Sequence, residues 1–160
     1  MDTIIKAKKG NKKAIKQIVK ENIIQVYRLI FLHTKYEEDA KNILRDTIDF
    51  IYENFSKVDN EKIILWMYKI AIINTNNFLK CNGMVEKNNS LNNYYYNNKI
   101  KMYESIDLLD LKYRNVVILK CYFGLSYDEI GYILDLNSDT VKIYFRQSLK
   151  NLKVNVGEGL

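Results

Sequence analysis

The stretch GLSYDEIGYILDLNSDTVKIYFRQSLKNL, from Gly124 to Leu152, decides the fold class of this chain. Apolar residues recur at helical spacing on both sides of the short segment 135–137. This spacing predicts a short helix, a tight turn with Leu136 pointing inward, and a longer helix that the Asn137 side chain caps. The apolar positions are Tyr127, Ile130, Ile133 and Leu134 on the first helix, and Val141, Phe145, Leu149 and Leu152 on the second.

The second helix has the pattern of a DNA recognition helix, with an apolar back and a polar, basic front face. Lys142, Arg146 and Lys150 are four residues apart and line up on this front face. Gly131 on the first helix is small enough to let the second helix cross closely. An ordinary helical hairpin with a solvated basic face gives the same pattern, so this stretch alone leaves both interpretations open. The front face comprises Asp139, Thr140, Lys142, Ile143, Arg146, Gln147 and Lys150.

The rest of the chain is also predicted to be helical, because proline is absent and glycine is scarce. Asn11 is positioned to cap a helix whose apolar pattern is interrupted near Glu21-Asn22 and then continues. The polar stretch 56–62 separates two further helices, an amphipathic one over 40–55 and an apolar one over 63–80. The apolar stripe of the former is Ala40, Ile43, Leu44, Thr47, Ile48, Ile51, Tyr52 and Phe55, and that of the latter includes Trp66, Met67, Ile70, Ile73 and Phe78.

Residues 81–103 change character, since asparagine, lysine and tyrosine dominate and no clean period survives. We therefore expect an all-α protein of two small helical bundles joined by a flexible linker. The predicted divisions are a domain over 1–80, a linker over 81–103 and a domain over 104–160.

The charge is unevenly distributed along the chain, whose net charge is +6. Residues 1–20 hold seven lysines, whereas residues 37–61 hold eight acidic side chains. A basic balance permits an acidic partner without choosing one. No window reaches the ~18 apolar residues of a membrane span and no secretory signal is recognisable, so we expect a cytoplasmic protein without membrane insertion.

Catalytic and metal-binding chemistry has little support in the sequence. His33 is the sole histidine, and Cys81 and Cys121 fit no ligand or redox spacing. A zinc site or a hydrolytic triad is therefore improbable, and we expect no cofactor, no metal and no enzymatic activity. His33 is interpreted as a helix-end residue, and the cysteines as reduced and partly buried.

The C-terminal block resembles region 4, the −35-reading domain of bacterial sigma factors. The resemblance extends over IDLLDLKYRNVVILKCYFGLSYDEIGYILDLNSDTVKIYFRQSLKNL. The matching residues are Leu109, Tyr113-Arg114, Val116, Leu119, Gly124-Leu125-Ser126-Tyr127, Glu129-Ile130, Ile133-Leu134 and Thr140-Val141-Lys142.

The N-terminal half is similar to region 2 of the extracytoplasmic-function group of the same family. AKKGNKKAIKQIVKENIIQVYRLIF resembles the opening helices, EEDAKNILRDTIDFIYENF the polymerase-docking helix, and WMYKIAIINTNNFLK the helix after it. The matching residues are Gly10, Ala14-Ile15, Val26-Tyr27-Arg28, Glu38-Asp39-Ala40, Asp46-Thr47, Trp66, Tyr68-Lys69-Ile70-Ala71 and Phe78-Leu79-Lys80.

The resemblance implies an alternative sigma factor that directs core RNA polymerase to promoters by recognising −10 and −35 elements. It implies contacts with the beta-prime clamp, the beta flap and promoter DNA, and it leaves open whether an anti-sigma factor binds the protein. The implied polymerase-binding residues are Asp39, Asn42, Arg45, Asp46 and Asp49. Those for the −10 element are Lys57, Asp59, Asn60, Lys69, Asn74, Asn77 and Lys80. Those for the −35 element are Ser138, Asp139, Thr140, Lys142, Ile143, Tyr144, Arg146, Gln147 and Lys150.

Two of these assignments have plainer alternatives. The acidic face of helix 40–55, taken alone, is typical of a merely solvated surface. Trp66 is placed as a stacking platform for a base, but its position on the apolar face of its helix favours a core role.

Several positions depart from the family pattern. The usual Gln-Glu of the docking helix is Arg45-Asp46, and the usual Arg-Asn after Ala71 is Ile72-Ile73. Asp110 replaces a proline and can still serve as an N-cap. Ile143-Tyr144 stands where a small residue and arginine are usual, and Asp135 where the turn usually has glycine. The promoter sequence read by this chain is therefore expected to be its own.

Two other classes of function stay open. One is a free-standing helix-turn-helix regulator that binds operators as a dimer, against which the N-terminal bundle and long linker argue. The other is a sigma-like protein-interaction module without promoter activity, which the departures at 45 and 72–73 permit.

Overall fold

The computed structural model describes residues 2–82 and 102–156, and every regular element in these ranges is helical. The all-α class expected from the sequence is confirmed. The α-helices of the described ranges are α1 (Asp2–Lys8), α2 (Lys12–Thr34), α3 (Glu37–Asn54), α4 (Ile63–Cys81), α5 (Met102–Asp107), α6 (Leu111–Val117), α7 (Tyr127–Leu134) and α8 (Ser138–Val156). Two 3₁₀ turns, Phe55–Lys57 and Asn60–Lys62, separate α3 from α4, and a π-helical segment, Ile118–Tyr122, extends α6.

The chain divides into two compact units, one ending at Phe78 and the other beginning at Leu79. This division falls inside α4, two residues before the predicted end of the first domain. Most of the predicted linker, residues 83–101, lies outside the described residues. The domain limits 1–80, 81–103 and 104–160 therefore stay a prediction.

Helix α2 runs without interruption through Glu21-Asn22, where the apolar pattern breaks. The Asn22 side chain donates to the Ile18 carbonyl 2.8 Å away, which satisfies its amide without disturbing the backbone ladder. Asn11 caps the helix as predicted, and its Oδ1 accepts from the Ala14 amide at 3.1 Å.

Helix α3 buries one stripe against its neighbours in the first unit. Its fully buried positions recur three or four residues apart, which turns Tyr52, a predicted stripe member, out to the surface. Ile73 of α4 is likewise 43% exposed rather than buried, because it lies on the side of the helix opposite the main core positions. The buried residues of α3 are Ala40, Ile43, Thr47 and Ile51, and Phe55 continues them.

In the second unit, α6 and α7 both pack on α8. The predicted back of α8 is partly wrong, since Leu149 is 42% exposed and Ser148 is completely buried. The buried Val141, Ser148 and Leu152, with the half-buried Phe145, follow a 4-3-4 spacing that selects 148 in place of 149. The Ser148 hydroxyl donates to the Tyr144 carbonyl at 2.6 Å, so its burial leaves no unsatisfied polar group.

Candidate nucleic-acid interface

The turn between α7 and α8 is built from backbone hydrogen bonds and two side-chain caps. Asp135 adopts the left-handed conformation at φ 55°, and the Leu136 amide donates to the Gly131 carbonyl at 2.9 Å. Asn137 Oδ1 accepts from the Thr140 amide at 2.8 Å, as predicted for the cap of α8. Aspartate is one of the few non-glycine residues that tolerate this backbone conformation, so the turn forms without the usual glycine.

Gly131 is required by this turn rather than by the crossing of the second helix. A Cβ at position 131 would lie 2.5 Å from the Leu136 carbonyl oxygen. The contacting atom is backbone, so it cannot rotate away as a side chain would. The sequence correctly identified a close approach but placed it on the wrong partner.

Helix α7 begins in a capping box that the sequence interpretation missed. The Glu129 amide donates to Ser126 Oγ at 3.2 Å, and the Ser126 amide donates to Glu129 Oε2 at 2.7 Å. The signal was present as a serine followed three residues later by glutamate. The box fixes where α7 starts and so sets the direction in which it supports α8.

Most of the front face of α8 is open to solvent. Asp139, Ile143, Arg146 and Lys150 are exposed, and Thr140, Lys142 and Gln147 are half-buried. Lys142 Nζ lies 3.1 Å from Asp139 Oδ1 in a surface ion pair. Such exposed pairs stabilise little and are screened by salt, so Lys142 can exchange this partner for another anion. The structure thus presents a basic front on a helix that is supported from behind.

Tyr144 differs from the other predicted −35 residues in its surroundings. It is half-buried, and its ring packs edge-to-face on Tyr113 of α6 with centroids 5.5 Å apart. Lys112 Nζ lies 4.8 Å from the Tyr113 ring and 5.7 Å from the Tyr144 ring. Tyr144 therefore joins α8 to α6, and Ser138 lies half-buried in the first turn of α8.

A buried arginine supports this unit, which the sequence interpretation did not foresee. Arg114 donates to the carbonyls of Asp107 and, at 3.2 Å, of Leu109. Burial lowers the pKa of its guanidinium, while the nearby Asp107 and Asp110 carboxylates act in the opposite direction. Asp110 starts α6 through its main-chain carbonyl, whereas the predicted side-chain cap is not formed.

In the first unit, the predicted polymerase-docking residues lie on the outer face of α3. Asn42, Arg45, Asp46 and Asp49 are exposed, and Asp39 is half-buried in the first turn. Arg45 donates to Asn42 Oδ1 at 3.2 Å, so these two residues form one polar cluster. The face is available to a partner and is mainly acidic.

The polar loop between α3 and α4 contains three of the predicted −10 residues. Lys57 is exposed and donates to Asn54 Oδ1 at 2.9 Å, and Asp59 Oδ1 accepts from the Glu61 amide at 3.4 Å. Asn60 begins the second 3₁₀ turn. The loop is anchored from α1, since Lys8 Nζ donates to the Ser56 carbonyl at 3.0 Å.

The remaining predicted −10 residues lie on α4 and differ in how exposed they are. Asn77 and Lys80 are exposed and Lys69 is half-buried, while Asn74 donates to Thr47 Oγ1 at 3.1 Å. Asn74 therefore ties α4 to α3, which is a structural role the sequence did not indicate. Ile73 is exposed next to this set, so the structure places an apolar side chain among polar ones.

The structure shows the burial and the contacts of Trp66 and of the residues considered for catalysis. Trp66 is half-buried and packs edge-to-face on Phe55 with centroids 6.3 Å apart, between the core and surface alternatives. His33 lies at the end of α2, as predicted, and is buried there with Nδ1 2.8 Å from the Leu29 carbonyl. Cys81 and Cys121 are free as predicted, but both are exposed rather than partly buried.

Two kinds of feature are absent from residues 2–82 and 102–156. No group of three histidine, cysteine or acidic residues there is placed to hold a metal ion. No helix in those ranges is long and apolar enough to cross a bilayer.

Comparison with known proteins gives consistent matches. A family model described as "Sigma-70, region 4" matches residues 99–152, which include α6, α7 and most of α8. The RNA polymerase sigma factor SigV of Bacillus subtilis is 24% identical over 160 residues, which cover 95% of this chain and 96% of that protein.

Solved structures share the same fold. The sigma factor RpoE from Bartonella quintana, in complex with the anti-sigma factor NepR, gives a TM-score of 0.71 at 14% identity. That match covers 92% of this chain and 99% of RpoE. CnrH, in complex with the cytosolic domain of CnrY, gives a TM-score of 0.73 at 17% identity, covering 94% of this chain and 92% of CnrH.

Proposed function

We propose that the chain is a sigma factor of the sigma-70 family, in its extracytoplasmic-function group, and that it directs core RNA polymerase to promoters through contacts made by both units. The main support for this proposal is that the region 4 match falls on a helix-turn-helix in which the front of α8 is exposed and basic. A freely accessible basic face on a well-supported helix suits insertion into the DNA major groove.

The −35 element is the proposed ligand of α8. Arg146 and Lys150 are exposed one turn apart, and Ile143 stands on the same face. Arginine suits bidentate reading of guanine, whereas lysine suits a phosphate. Ser138, Asp139, Thr140, Lys142 and Gln147 surround this line at the start and sides of the helix, and Tyr144 contributes through its packing on Tyr113.

The −10 strand is the proposed ligand of the loop before α4 and of the exposed side of α4. Lys57, Lys69 and Lys80 supply cations, and Asp59, Asn60 and Asn77 lie on the same loop and helix. Flipping a base costs least when it is already unpaired, which suits a melted −10 strand. Asn74 acts by holding α4 against α3.

Core polymerase is the proposed partner of the acidic outer face of α3, with the beta-prime clamp as its docking site and the beta flap as the site for the second unit. The exposed carboxylates of Asp46 and Asp49 favour a protein surface over DNA, whose phosphates would repel them. In this role the protein supplies selectivity and works in the cytoplasm, and polymerase performs the reaction.

An anti-sigma factor is a further proposed partner. RpoE, which has the same fold, was solved in complex with the anti-sigma factor NepR. Such a partner would have to cover the α3 face or the α8 front to keep the protein inactive.

Run-off transcription with purified core polymerase tests the proposal. The template is the genomic DNA upstream of the chain's own gene, and core enzyme alone is the control. We expect a discrete transcript that depends on the protein. Tight binding to duplex DNA without any affinity for core would instead identify a free-standing regulator. Affinity for core without promoter selectivity would identify an interaction module.

A further inference from the structure

Ile143 is the most exposed large apolar side chain of α8 among residues 138–153, at 60% of its possible surface. Its neighbours three and four residues away are the exposed, charged Asp139 and Arg146 and the half-buried, polar Thr140 and Gln147. The helical repeat of 3.6 residues places Ile143 nearly opposite the completely buried Val141 and Ser148. Ile143 is therefore the outermost point of the front face of α8 rather than an edge residue of the core.

Any approach that presses the front face of α8 into a major groove brings this side chain against base edges. Isoleucine has no donor or acceptor, so it gains nothing from the polar edges of guanine, cytosine or adenine. The C5-methyl group of thymine is the one apolar group that the major groove presents. We infer that Ile143 selects a thymine in the −35 element by packing on its methyl group.

The spacing along the helix also limits how far this thymine lies from the base that Arg146 contacts. Three residues of α-helix correspond to a rise of about 4.5 Å, compared with about 3.4 Å between successive bases of one DNA strand. We therefore expect the thymine close to the pair read by Arg146, toward the N-terminus of α8. Tyr144 does not compete for it, because its ring is packed on Tyr113.

This inference rests on the proposed reading of the −35 element by α8, and it adds the identity of one base. Replacing thymine by deoxyuridine removes only the methyl group and keeps every hydrogen-bonding atom. Binding of the reconstituted holoenzyme is measured on a mapped promoter in which each −35 thymine is replaced in turn by deoxyuridine. We expect one position at which binding weakens about fourfold, the value of one buried methyl-sized group.

Two variants assign that loss to its residue. With Ile143→Ala the difference between thymine and deoxyuridine at that position should disappear, while with Arg146→Ala it should persist. Because Ile143 is exposed, an unchanged thermal melt should accompany Ile143→Ala. A thymine preference that survives in Ile143→Ala, or the absence of any deoxyuridine-sensitive position, would overturn the inference.

The same measurements separate this failure from failure of the proposed function. A holoenzyme that selects its promoter but ignores the thymine methyl removes only the role of Ile143. A protein that gives core polymerase no promoter selectivity at all removes the proposed function together with it.

Discussion

Arg146 and Lys150 both lie exposed on the front of α8, yet their chemistry predicts different roles. Arg146→Ala should weaken promoter binding by about 1–3 kcal/mol and relax base preference at one position, since a planar guanidinium reads guanine through two hydrogen bonds. Both effects are measured by filter binding of the reconstituted holoenzyme to promoter duplexes whose −35 element is matched or carries a single mismatch. An equal loss on all duplexes would make Arg146 a phosphate contact.

Lys150→Ala should weaken binding alike on every promoter, because an ammonium group on phosphate carries no base information. The slope of log affinity against log salt concentration should fall by roughly one. Lys150→Arg is the matched control, since it keeps the charge and should keep the slope. A loss confined to one promoter sequence would contradict the phosphate assignment.

At the scale of the element, the α7 turn depends on the absence of a side chain at one position. Gly131→Ala should lower the free energy of unfolding of this unit by about 1–3 kcal/mol, because the new Cβ meets the Leu136 carbonyl at 2.5 Å. Chemical denaturation followed by circular dichroism measures the change. Ala substitution of the exposed Asp128 in the same helix serves as a control with little expected effect. Equal stability of Gly131→Ala and the parent would show that the turn can relax.

Asp135, four residues after Gly131, is a position at which we expect a substitution to have little effect on stability. Asp135→Gly should leave the turn intact and change stability by less than about 1 kcal/mol, since glycine adopts a positive φ without a steric cost but frees the unfolded chain. The same denaturation experiment tests this. A large loss would indicate that the Asp135 carboxylate contributes more than the backbone conformation does.

The α3 face is the element whose role depends most on partners. Asp46→Lys should weaken binding to core polymerase roughly tenfold if this exposed carboxylate faces a complementary surface. Glu21 is an exposed residue of α2 in the same unit. Glu21→Lys changes the charge by the same amount and is therefore the matched control. Fluorescence titration with labelled protein measures both affinities. Equal losses of affinity in the two variants would show that the change in net charge, and not the α3 face, weakens binding.

At the scale of the whole molecule, the proposed function requires that one polymerase complex meets the −10 and −35 elements on one side of the DNA. Adding five base pairs to the promoter spacer turns the −35 element by about half a helical turn. Run-off transcription should then fall to near the level of core enzyme alone. A second insertion of ten base pairs lengthens the spacer but restores the rotation, so it tests the effect of distance by itself. Unchanged transcription from the five-base-pair insertion would show that the two elements are read independently.

The sequence predicted most of the helices because apolar spacing, caps and the absence of proline are local signals. Asn11 and Asn137 were identified as caps from their own positions in the chain. It failed where packing between helices decides, as at Leu149, Tyr52 and Ile73, whose apolar side chains stay exposed among residues 2–82 and 102–156. The side-chain cap expected at Asp110 also did not form.

The candidate site shows the same division. The basic front of α8 and the acidic face of α3 were predicted because charge at helical spacing is written in one element. Three roles depended on contacts between elements and could not be predicted: Asn74 bonds to Thr47, Tyr144 packs on Tyr113, and Arg114 satisfies the carbonyls before α6.

By itself the sequence determined that this chain is helical, that two of its helices are joined by a tight turn at 135–137 and that its charged faces lie on particular helices, because these follow from local periodicity. Only the tertiary structure decided that the Gly131 contact is with the Leu136 carbonyl and that Ile143 stands outermost on α8. The physical reason is that burial and close approach are properties of pairs of elements, and a pattern within one element does not specify its partner.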